Sequence, residues 1–230
     1  MHFFYLKSFD DYVDLSNEEK KHIFNVLRLR DGDELKLLNG TGKIAKAVIR
    51  DSQRIEIVDV EVVNEPKIKT VLYVAPPRKN KMDQILAQCT EVGVWEIQPI
   101  STEYSVSLPD KDNTVEKWKM KLIEACKQSG NPFLPKINKI ISFEAAVKNT
   151  NQENSISYFG SLSTNSNVEQ SKSLINKINW FVGPEGGFSG KEEKIMIDDG
   201  FTPIKIGSYI MRVETAAVVG IALLNGKYNF

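Results

Sequence analysis

The sequence predicts an α/β protein, with a small β-barrel unit in residues 1–68 and a larger α/β unit in residues 69–230. Several short strands separated by glycine turns fill the first part, as in small barrels. Beyond the polar junction Glu65-Pro66-Lys67, apolar strands alternate with amphipathic helices, which indicates a parallel sheet. Near the end of the chain, two strands run into glycines and each leads toward a helix, which is how ligand sites form in open parallel sheets.

The composition is that of an ordinary globular protein. Of its 230 residues, 41% are hydrophobic and 26% are charged, and 30 basic residues balance 30 acidic ones. A net charge of zero argues against a protein dominated by a basic nucleic-acid surface, so any RNA contact must be local. No stretch approaches the roughly 20 apolar residues of a membrane span. Residues 1–11 lack the features of a signal peptide, and we therefore expect a cytoplasmic protein.

The first unit opens with a capped helix and continues with strands. Ser16 and Glu19 form the capping-box pattern, which predicts a helix over residues 17–27. Asp31-Gly32 and the segment Asn-Gly-Thr-Gly at 39–42 predict turns. Around these turns, the apolar residues that alternate with polar ones and predict strands are Leu35, Leu37, Ile44, Val48, Ile55, Ile57, Val60 and Val62.

The second unit opens with a β-α-β pattern. Strands are predicted over residues 70–75 and 96–100, and Gly93 ends the helix between them. That helix is indicated by apolar residues at helical spacing, namely Met82, Ile85, Leu86, Cys89 and Val92.

The middle of the second unit is less regular. A long helix is predicted over residues 112–129, with Trp118, Leu122, Ala125 and Cys126 on its inner face. Ser142 caps a short helix, and residues 156–159 form a strand. Residues 163–177 are polar and poorly periodic, and the sequence leaves them open as a loop or a loop with a short helix.

The C-terminal segment begins with a strand over residues 180–182 that ends abruptly at Gly-Pro-Glu-Gly-Gly, residues 183–187. Ser189 and Glu192 form a second capping box, which predicts a helix that ends near Gly200. The first glycine-marked strand end therefore leads directly into a helix.

A second glycine-marked strand follows. It is predicted over residues 201–206, Gly207 ends it, and a helix covers residues 213–224. Glycines at such strand ends let a ligand approach the backbone, although ordinary turns look the same in sequence. The spacing matches neither a G-x-G-x-x-G fingerprint nor a phosphate-binding loop with a following lysine, so dinucleotide and nucleoside triphosphate binding are poorly supported.

The cysteines and histidines do not predict a metal site. Cys89 and Cys126 lie among apolar neighbours in predicted helices, which favours small buried core residues. With only His2 and His22 in addition, no cluster has metal-ligand spacing, and we expect no metal.

Several stretches together resemble one family. Gly-Pro-Glu-Gly-Gly before a capped helix, and then IGSYIMRVETA, resemble the signature of the ribosomal RNA small subunit methyltransferase E family. The stretches HIFNVLRLRDGDEL, TEVGVWEIQPI and ACKQSGNPFLPKI extend the resemblance over nearly the whole chain. The resemblance implies a uridine N3-methyltransferase of the SPOUT superfamily, acting on 16S ribosomal RNA with S-adenosylmethionine as methyl donor. It also implies a C-terminal trefoil knot, a PUA-like RNA-binding domain before it, and a homodimer.

The resemblance and the strand ends together give the candidate binding residues. S-adenosylmethionine is expected at loops formed by Gly160, Ser161, Leu162, Gly183, Pro184, Glu185, Gly186, Gly187, Ile206, Gly207, Ser208, Met211 and Thr215. Small-subunit ribosomal RNA is expected to contact His22, Arg28, Arg30, Arg78, Lys79 and Lys81. A half-buried helix position is the alternative for His22.

Arg212 and Glu214 are the catalytic candidates. Uracil N3 is a poor nucleophile until its proton leaves, and the charge of Arg212 would stabilise the anion that forms. Alternatively, Arg212 forms an ion pair with Glu214 or Glu185. Glu214 is a candidate general base, but a carboxylate in a first helical turn is also ordinary capping.

The chain departs from the family pattern, since Gln88, Tyr104, Leu108 and Tyr209 stand where basic residues are usual. Each lost cation removes a phosphate contact or a stabilising charge. Two other functions therefore stay open: a non-catalytic RNA-binding or ribosome-assembly protein on the same fold, and a SPOUT methyltransferase acting on another RNA. The last helix is apolar around most of its circumference, which predicts its burial against a second copy of the chain.

Overall fold

The computed structural model describes residues 2–9, 12–13, 15–51, 54–78, 81–106, 113–150, 154–161 and 175–229. The chain divides into two compact units. The first comprises Met1–Glu65 and Ile123–Leu134, and the second comprises Pro66–Leu122 and Pro135–Phe230. The division after Glu65 lies at the predicted junction, whereas residues 123–134, predicted from the sequence to be part of the second unit, belong to the first.

The first unit is built on a five-stranded sheet. Its strands are β1 Phe3–Tyr5, β2 Tyr12–Val13, β3 Glu34–Leu38, β4 Lys43–Arg50 and β5 Arg54–Val62. Their order in the sheet is β1-β3-β4-β5-β2, in which β1 and β3 run parallel and the other neighbours antiparallel. The predicted short strands are therefore present in this unit.

The inner face of this sheet differs in part from the predicted alternation. Ile44 and Val48, which mark β4 in the sequence, are only half-buried, while Val60 and Val62 of β5 are exposed. Because side chains alternate across a strand, the neighbouring small residues of β4 occupy the inner row instead. The buried core consists of Phe4, Leu15, Ile23, Leu35, Leu37, Ala45, Ala47, Ile49 and Ile55.

The helix of the first unit changes its winding part of the way along. The capping box is confirmed, since Ser16 Oγ accepts a hydrogen bond from the backbone N–H of Glu19 at 3.3 Å and the Glu19 carboxylate accepts one from the Ser16 N–H at 3.1 Å. Helix α1, Asn17–Lys21, is followed by a π-helix, His22–Val26. The prediction of one continuous helix over residues 17–27 is therefore corrected. A π-helix makes backbone hydrogen bonds between residues five apart instead of four, and no pattern of apolar residues distinguishes it from an α-helix in the sequence.

Residues 123–134 belong to the first unit because they pack on its second turn. The backbone N–H of Gly42 donates to the carbonyl of Pro132 at 3.0 Å. Gly42 has a φ of +95°, and a Cβ there would lie 2.7 Å from the ring of Phe133. Only glycine suits this turn, since both its conformation and its space exclude a side chain.

The second unit is built on a parallel sheet. Its strands are β6 Lys69–Val74, β7 Glu96–Ser101, β8 Lys136–Ile137, β9 Ile141–Ser142, β10 Ser155–Gly160, β11 Lys177–Val182 and β12 Thr202–Ile204. Their order is β12-β10-β11-β6-β7-β8, and β9 also pairs with β7. All the recorded pairs run parallel, which confirms the predicted α/β class.

The helices follow the predicted order. They are α2 Lys81–Glu91, α3 Thr114–Ser129, α4 Phe143–Thr150, α5 Gly190–Asp198 and α6 Val213–Tyr228. Trp118, Leu122, Ala125 and Cys126 of α3 are buried, as predicted. Strand β12 is shorter than predicted and α6 is longer. The predicted loop at residues 163–177 lies mostly outside the described part of the chain.

Helix α6 packs closely on the middle of the sheet, against β6, β11 and α2. A Cβ on Gly220 would overlap the indole ring of Trp180 in β11. The indole Nε1–H donates to the carbonyl of Ala216 at 3.1 Å. At the other end of the helix, Asn225 donates to the carbonyl of Val92 at 2.8 Å. Helix α6 is thus fixed to the sheet and to the end of α2.

The two cysteines are buried and unpaired by disulfides, as predicted. Burial raises the pKa of Cys126 to about 12 and raises the pKa of Cys89 as well, so both thiols stay protonated and unreactive. Within the described ranges, no group of His, Cys, Asp and Glu side chains is arranged to hold a metal ion. In the same part of the chain, no helix has the length and apolar character needed to cross a membrane.

Candidate active site

The carboxyl ends of four neighbouring strands lie at one edge of the parallel sheet. The strands pair in register up to these ends, where Gly160 lies opposite Ile204 and Val182 opposite Val74. The backbone N–H of Ser161 donates to the carbonyl of Ile204 at 3.0 Å. The loops that follow β6, β10, β11 and β12 therefore leave from the same edge, which is where open parallel sheets bind ligands.

The glycine loop after β11, residues 183–187, is closed tightly on itself. The N–H of Gly187 donates to the carbonyl of Pro184 at 2.8 Å, and Gly187 has a φ of +73°. A Cβ on Gly183 would lie 2.8 Å from the backbone carbon of Gly187. Gly186 and Gly187 are exposed. The loop thus presents bare backbone to the site, and its shape depends on glycine at these positions.

Two carboxylates tie the glycine loop and helix α5 to neighbouring loops. Glu185 Oε1 accepts a hydrogen bond from the backbone N–H of Arg78 at 3.1 Å, which links the loops after β6 and β11. The buried Glu192 accepts from the N–H of Ser189 at 2.8 Å and from the N–H of Glu103 at 2.9 Å. Glu192 therefore completes the predicted capping box and also fixes the loop after β7.

The loop after β12, residues 205–212, is more open. Ile206, Gly207 and Met211 are half-buried, whereas Ser208 is exposed. Tyr209 and Ile210 are 86% and 80% exposed. Two neighbouring large side chains of this loop are therefore exposed.

Glu214 lies in the first turn of α6 and is paired with Lys81 at the start of α2. Lys81 Nζ lies 2.6 Å from Glu214 Oε1, and Glu214 is only 6% exposed. The hydrogen bond from Lys81 lowers the pKa of Glu214, and the residue's own backbone N–H and the charge of Arg212 add to the effect. A carboxylate held in its ionised form accepts a proton poorly, which weighs against Glu214 as a general base. The same pair engages Lys81, one of the residues expected to contact RNA.

Arg212 immediately precedes α6 and its side chain is exposed. Within the ranges that the structure describes, its guanidinium makes no ion pair, although its charge contributes to the lowered pKa of Glu214. The expected alternative partner Glu185 instead accepts from the backbone of Arg78. Arg212 is therefore available to an incoming ligand.

The other predicted residues fall into three groups. Leu162 and Lys79 lie outside the described residues. At the sheet edge Gly160 is half-buried, Ser161 and Pro184 are buried, and Thr215 is exposed one residue after Glu214. Of the residues predicted to contact RNA, four are exposed: His22, Arg28 and Arg30 in the first unit, and Arg78 in the loop after β6.

Arg28 has an unusual backbone conformation. Its φ is +58°, in the left-handed region that non-glycine residues rarely adopt. His22, six residues earlier in the sequence, packs edge-on against the ring of Phe4 with centroids 6.0 Å apart. His22 is nevertheless exposed, rather than the half-buried helix residue of the alternative interpretation.

Tyr104, on the loop after β7, stands where the family usually has a basic residue, and its contact with the glycine loop is not visible in the sequence. A Cβ on Gly186 would lie 3.4 Å from Cβ of Tyr104. The Lys81–Glu214 pair also cannot be predicted from local sequence, because the two residues are 133 positions apart in the chain. Local patterns carry no signal for such contacts; only the stacking of the strand ends at one edge could have suggested them.

The geometry defines a site with a backbone-lined edge and an exposed cation beside it. A family model described as an RNA methyltransferase domain matches residues 64–225, and one described as an RNA methyltransferase PUA domain matches residues 15–60. The class of the protein is therefore that of RNA methyltransferases.

Full-length relatives narrow the class further. The ribosomal RNA small subunit methyltransferase E of Aquifex aeolicus is 32% identical over 97% of this chain and 99% of its own length. That of Synechocystis sp. is 29% identical over 93% of this chain and 72% of its own. The chain belongs to the ribosomal RNA small subunit methyltransferase E family.

A solved structure agrees with this assignment. The ribosomal RNA small subunit methyltransferase E of Neisseria gonorrhoeae, bound to S-adenosyl methionine, superimposes with a TM-score of 0.87 at 28% identity. The match covers 99% of this chain and 98% of that one, so both units share its fold.

Proposed function

We propose that the protein transfers a methyl group from S-adenosylmethionine to N3 of a uridine in 16S ribosomal RNA. The observation that carries the proposal is the cluster of loops at one sheet edge, with exposed glycine backbone on one side and the exposed Arg212 beside it. Family membership and the S-adenosyl methionine bound to the Neisseria gonorrhoeae relative support the methyl donor.

The residues at the edge fit this methyl donor. Gly186 and Gly187 are exposed, and a Cβ on Gly187 would meet no atom of the other described residues within 4 Å, so the loop leaves room for a ligand there. Backbone groups suit the neutral adenine and ribose, which fixed hydrogen-bond geometry recognises better than charge. The methyl donor would be held by Gly160, Ser161, Leu162, Gly183, Pro184, Glu185, Gly186, Gly187, Ile206, Gly207, Ser208, Met211 and Thr215.

S-adenosylmethionine supplies an electrophilic methyl group. The residues of this chain then have two tasks. They hold the base near that methyl, and they stabilise the negative charge that uracil gains when N3 gives its proton to solvent water. Arg212 performs the second task, because it lies at the end of the loop after β12, is exposed, and makes no ion pair with a described carboxylate. Glu214, ionised and bound to Lys81, keeps the start of α6 and therefore Arg212 in position.

We infer a trefoil knot in the second unit. Strand β12 lies at one edge of the sheet, yet the next helix, α6, packs on the central strands β6 and β11. Residues 205–212 must therefore cross the ends of β10 and β11, where the connection from β10 to β11 also leaves the sheet. A knotted chain requires two segments that cross in this way. Residues 162–174 of the connection from β10 to β11 lie outside the described residues.

The first unit serves as the RNA-binding domain, with a PUA-like barrel. Its match to an RNA methyltransferase PUA domain supports this role. So do three exposed side chains at and after the π-helix, namely His22, Arg28 and Arg30. In the second unit, the residues proposed to contact RNA are Arg78, Lys79 and Lys81, and Lys81 is also paired with Glu214. An RNA substrate in the small subunit also implies that the protein works in the cytoplasm.

We propose that the protein is a homodimer through α6. The exposed face of this apolar helix includes Thr215, Ala222 and Leu223, and Leu223 is 46% exposed. Leu223→Glu should shift light scattering from dimer to monomer, because a charge would enter an apolar interface. Ile197→Glu on α5, where Ile197 is 51% exposed, is the control and should stay dimeric. A monomeric wild type at micromolar concentration would contradict this proposal.

The proposed activity is tested in cells. We expect N3-methyluridine in 16S ribosomal RNA from cells with the gene, its loss when the gene is deleted, and its return on complementation. Return of the modification with an Arg212→Ala variant at wild-type levels would remove Arg212 from the mechanism. Unchanged modification in the deletion strain would favour a non-catalytic RNA-binding function.

A further inference from the structure

We infer that Tyr104 is a contact residue for the RNA substrate and that an unpaired nucleobase stacks on its ring. The inference rests on the proposed function, because it names a substrate contact at the same site. Three observations carry it: the position of the ring, the anchoring of its turn, and the charges around it.

The side chain of Tyr104 lies against the glycine loop without being covered by it. A Cβ on Gly186 would lie 3.4 Å from Cβ and 3.5 Å from Cδ2 of Tyr104. The tyrosine nevertheless keeps 46% of its surface exposed. A large aromatic residue is thus displayed beside the loop that binds the methyl donor, where a ring is well suited to receive another flat molecule.

The turn that carries Tyr104 is fixed on both sides. The N–H of Ser105 donates to the carbonyl of Thr102 at 3.1 Å, and the N–H of Thr102 donates to Ser105 Oγ at 2.9 Å. The N–H of Glu103 donates to the buried Glu192 at 2.9 Å. The backbone beneath the ring is therefore ordered before any ligand arrives, which reduces the entropy lost on binding.

The carboxylates next to the two contacting residues favour a nucleobase over a phosphate group at the ring itself, while the nearby cation Arg78, bound to Glu185 through its backbone N–H, is exposed on the neighbouring loop. Glu103 precedes Tyr104, Glu185 precedes Gly186, and both glutamates are exposed. Their carboxylates repel phosphate, whereas the neutral face of any base stacks on an aromatic ring. A methyl group can reach uracil N3 only when the pairing edge of the base is open, so an unpaired base must be held close to the glycine loop.

The test compares three variants with the wild type. Tyr104→Ala removes the ring, Tyr104→Phe keeps it, and Val106→Ala changes a residue that is 63% exposed two positions further along. The first readout is the concentration of unmethylated small ribosomal subunits that half-saturates methyl transfer. The second is the dissociation constant for S-adenosylhomocysteine, measured by calorimetry.

Tyr104→Ala should raise the half-saturating subunit concentration on the order of tenfold to a hundredfold, the usual effect of losing one base–aromatic stack. Tyr104→Phe and Val106→Ala should match the wild type, and S-adenosylhomocysteine should bind all four proteins equally. Wild-type saturation by Tyr104→Ala overturns the inference. A defect in Tyr104→Phe as large as that in Tyr104→Ala assigns the effect to the hydroxyl and overturns it too. So does a parallel loss of S-adenosylhomocysteine binding, which would mean that the ring only shapes the glycine loop.

A wild type that transfers no methyl group contradicts the proposed function but leaves the stacking contact testable. Binding of the same four proteins to small subunits, with S-adenosylhomocysteine present, then decides it. Weaker binding by Tyr104→Ala alone supports the contact, and equal binding by all four overturns it.

Discussion

The ammonium group of Lys81 lies 2.6 Å from a carboxylate oxygen of Glu214, so the start of α2 is bound directly to the start of α6. Lys81 follows the loop after β6, and Glu214 follows Arg212 by two positions. The pair therefore links the loop that carries Arg78 to the segment that carries Arg212. We regard it as the element that positions Arg212.

Breaking this pair should destabilise the protein in a pH-dependent way. Lys81→Met leaves the buried Glu214 carboxylate without its partner, so the melting temperature should fall at pH 7. The pKa of Glu214 is lowered in the folded state, so ionised Glu214 stabilises the fold above the ordinary glutamate pKa of about 4.3, and this stabilisation is lost as the pH falls further. The difference between variant and wild type should therefore shrink in acid.

The control for this prediction is an exposed ion pair. Lys46 Nζ lies 2.8 Å from Glu34, and their side chains are 45% and 51% exposed. Lys46→Met should change the melting temperature little at any pH, since solvent screens such pairs. Equal, pH-independent losses in both variants would show that the Lys81–Glu214 pair has no special role.

Gly220→Ala should destabilise the second unit because the new methyl group would overlap the indole of Trp180. Overpacking of this kind costs roughly 1–3 kcal/mol, and the rigid indole and backbone can relieve little of it. Gly226→Ala on the same helix would meet no atom within 4 Å among the described residues outside its own helix turns, and should be neutral or stabilising by up to about 1 kcal/mol. Chemical unfolding measures both, and equal stability of the two variants would contradict the packing of α6 on β11.

Gly186→Val should abolish binding of the methyl donor while the fold remains. The position is exposed and the nearest atoms to a Cβ there belong to Tyr104, the first at 3.4 Å, which is ordinary contact, so the protein tolerates the side chain but the ligand does not. Gly190→Ala is the matched control, because a Cβ there would meet no atom within 4 Å from more distant residues in the part of the chain that the structure describes. Calorimetry with S-adenosylhomocysteine should detect binding to the control alone. If Gly186→Val bound S-adenosylhomocysteine with wild-type affinity, the methyl donor would not bind at this loop.

Arg212→Ala should lower the rate of methyl transfer far more than affinity for the methyl donor. A charge that stabilises the uracil anion acts mainly in the transition state, and losing one such charge typically lowers the rate about a hundredfold to a thousandfold. Single-turnover methylation alongside a melting curve measures both effects. A variant that melts early yet methylates at nearly the wild-type rate would leave Arg212 with a structural role only. Arg212→Lys should also be slow, since an ammonium lacks the planar fork of guanidinium.

The sequence predicts the features that depend on neighbouring residues. Both capping boxes, the end of α2 before Gly93 and the inner face of α3 are local patterns, and the structure confirms them. The motifs also predict the parallel α/β unit and the family. Capping boxes and helix-ending glycines depend on contacts within a few residues, so the rest of the fold does not alter them.

The features that the sequence does not reveal depend on distant contacts. The burial of Ala45 and Ala47 in place of Ile44 and Val48 follows from which face of β4 meets the core, and hydrophobicity alone favours the larger residues. The Lys81–Glu214 pair depends on strand order in the sheet. Predicting it from sequence would require the path of the chain through the whole second unit.

The most direct test of the central claim is transfer of a methyl group by the purified protein. Small ribosomal subunits from cells lacking the gene are incubated with the protein and methyl-labelled S-adenosylmethionine, and the modified nucleotide is identified by mass spectrometry. We predict label at N3 of a single uridine of 16S ribosomal RNA, and none with Arg212→Ala in the same time. Binding of the methyl donor without any labelled uridine, or label on another base, would contradict the account.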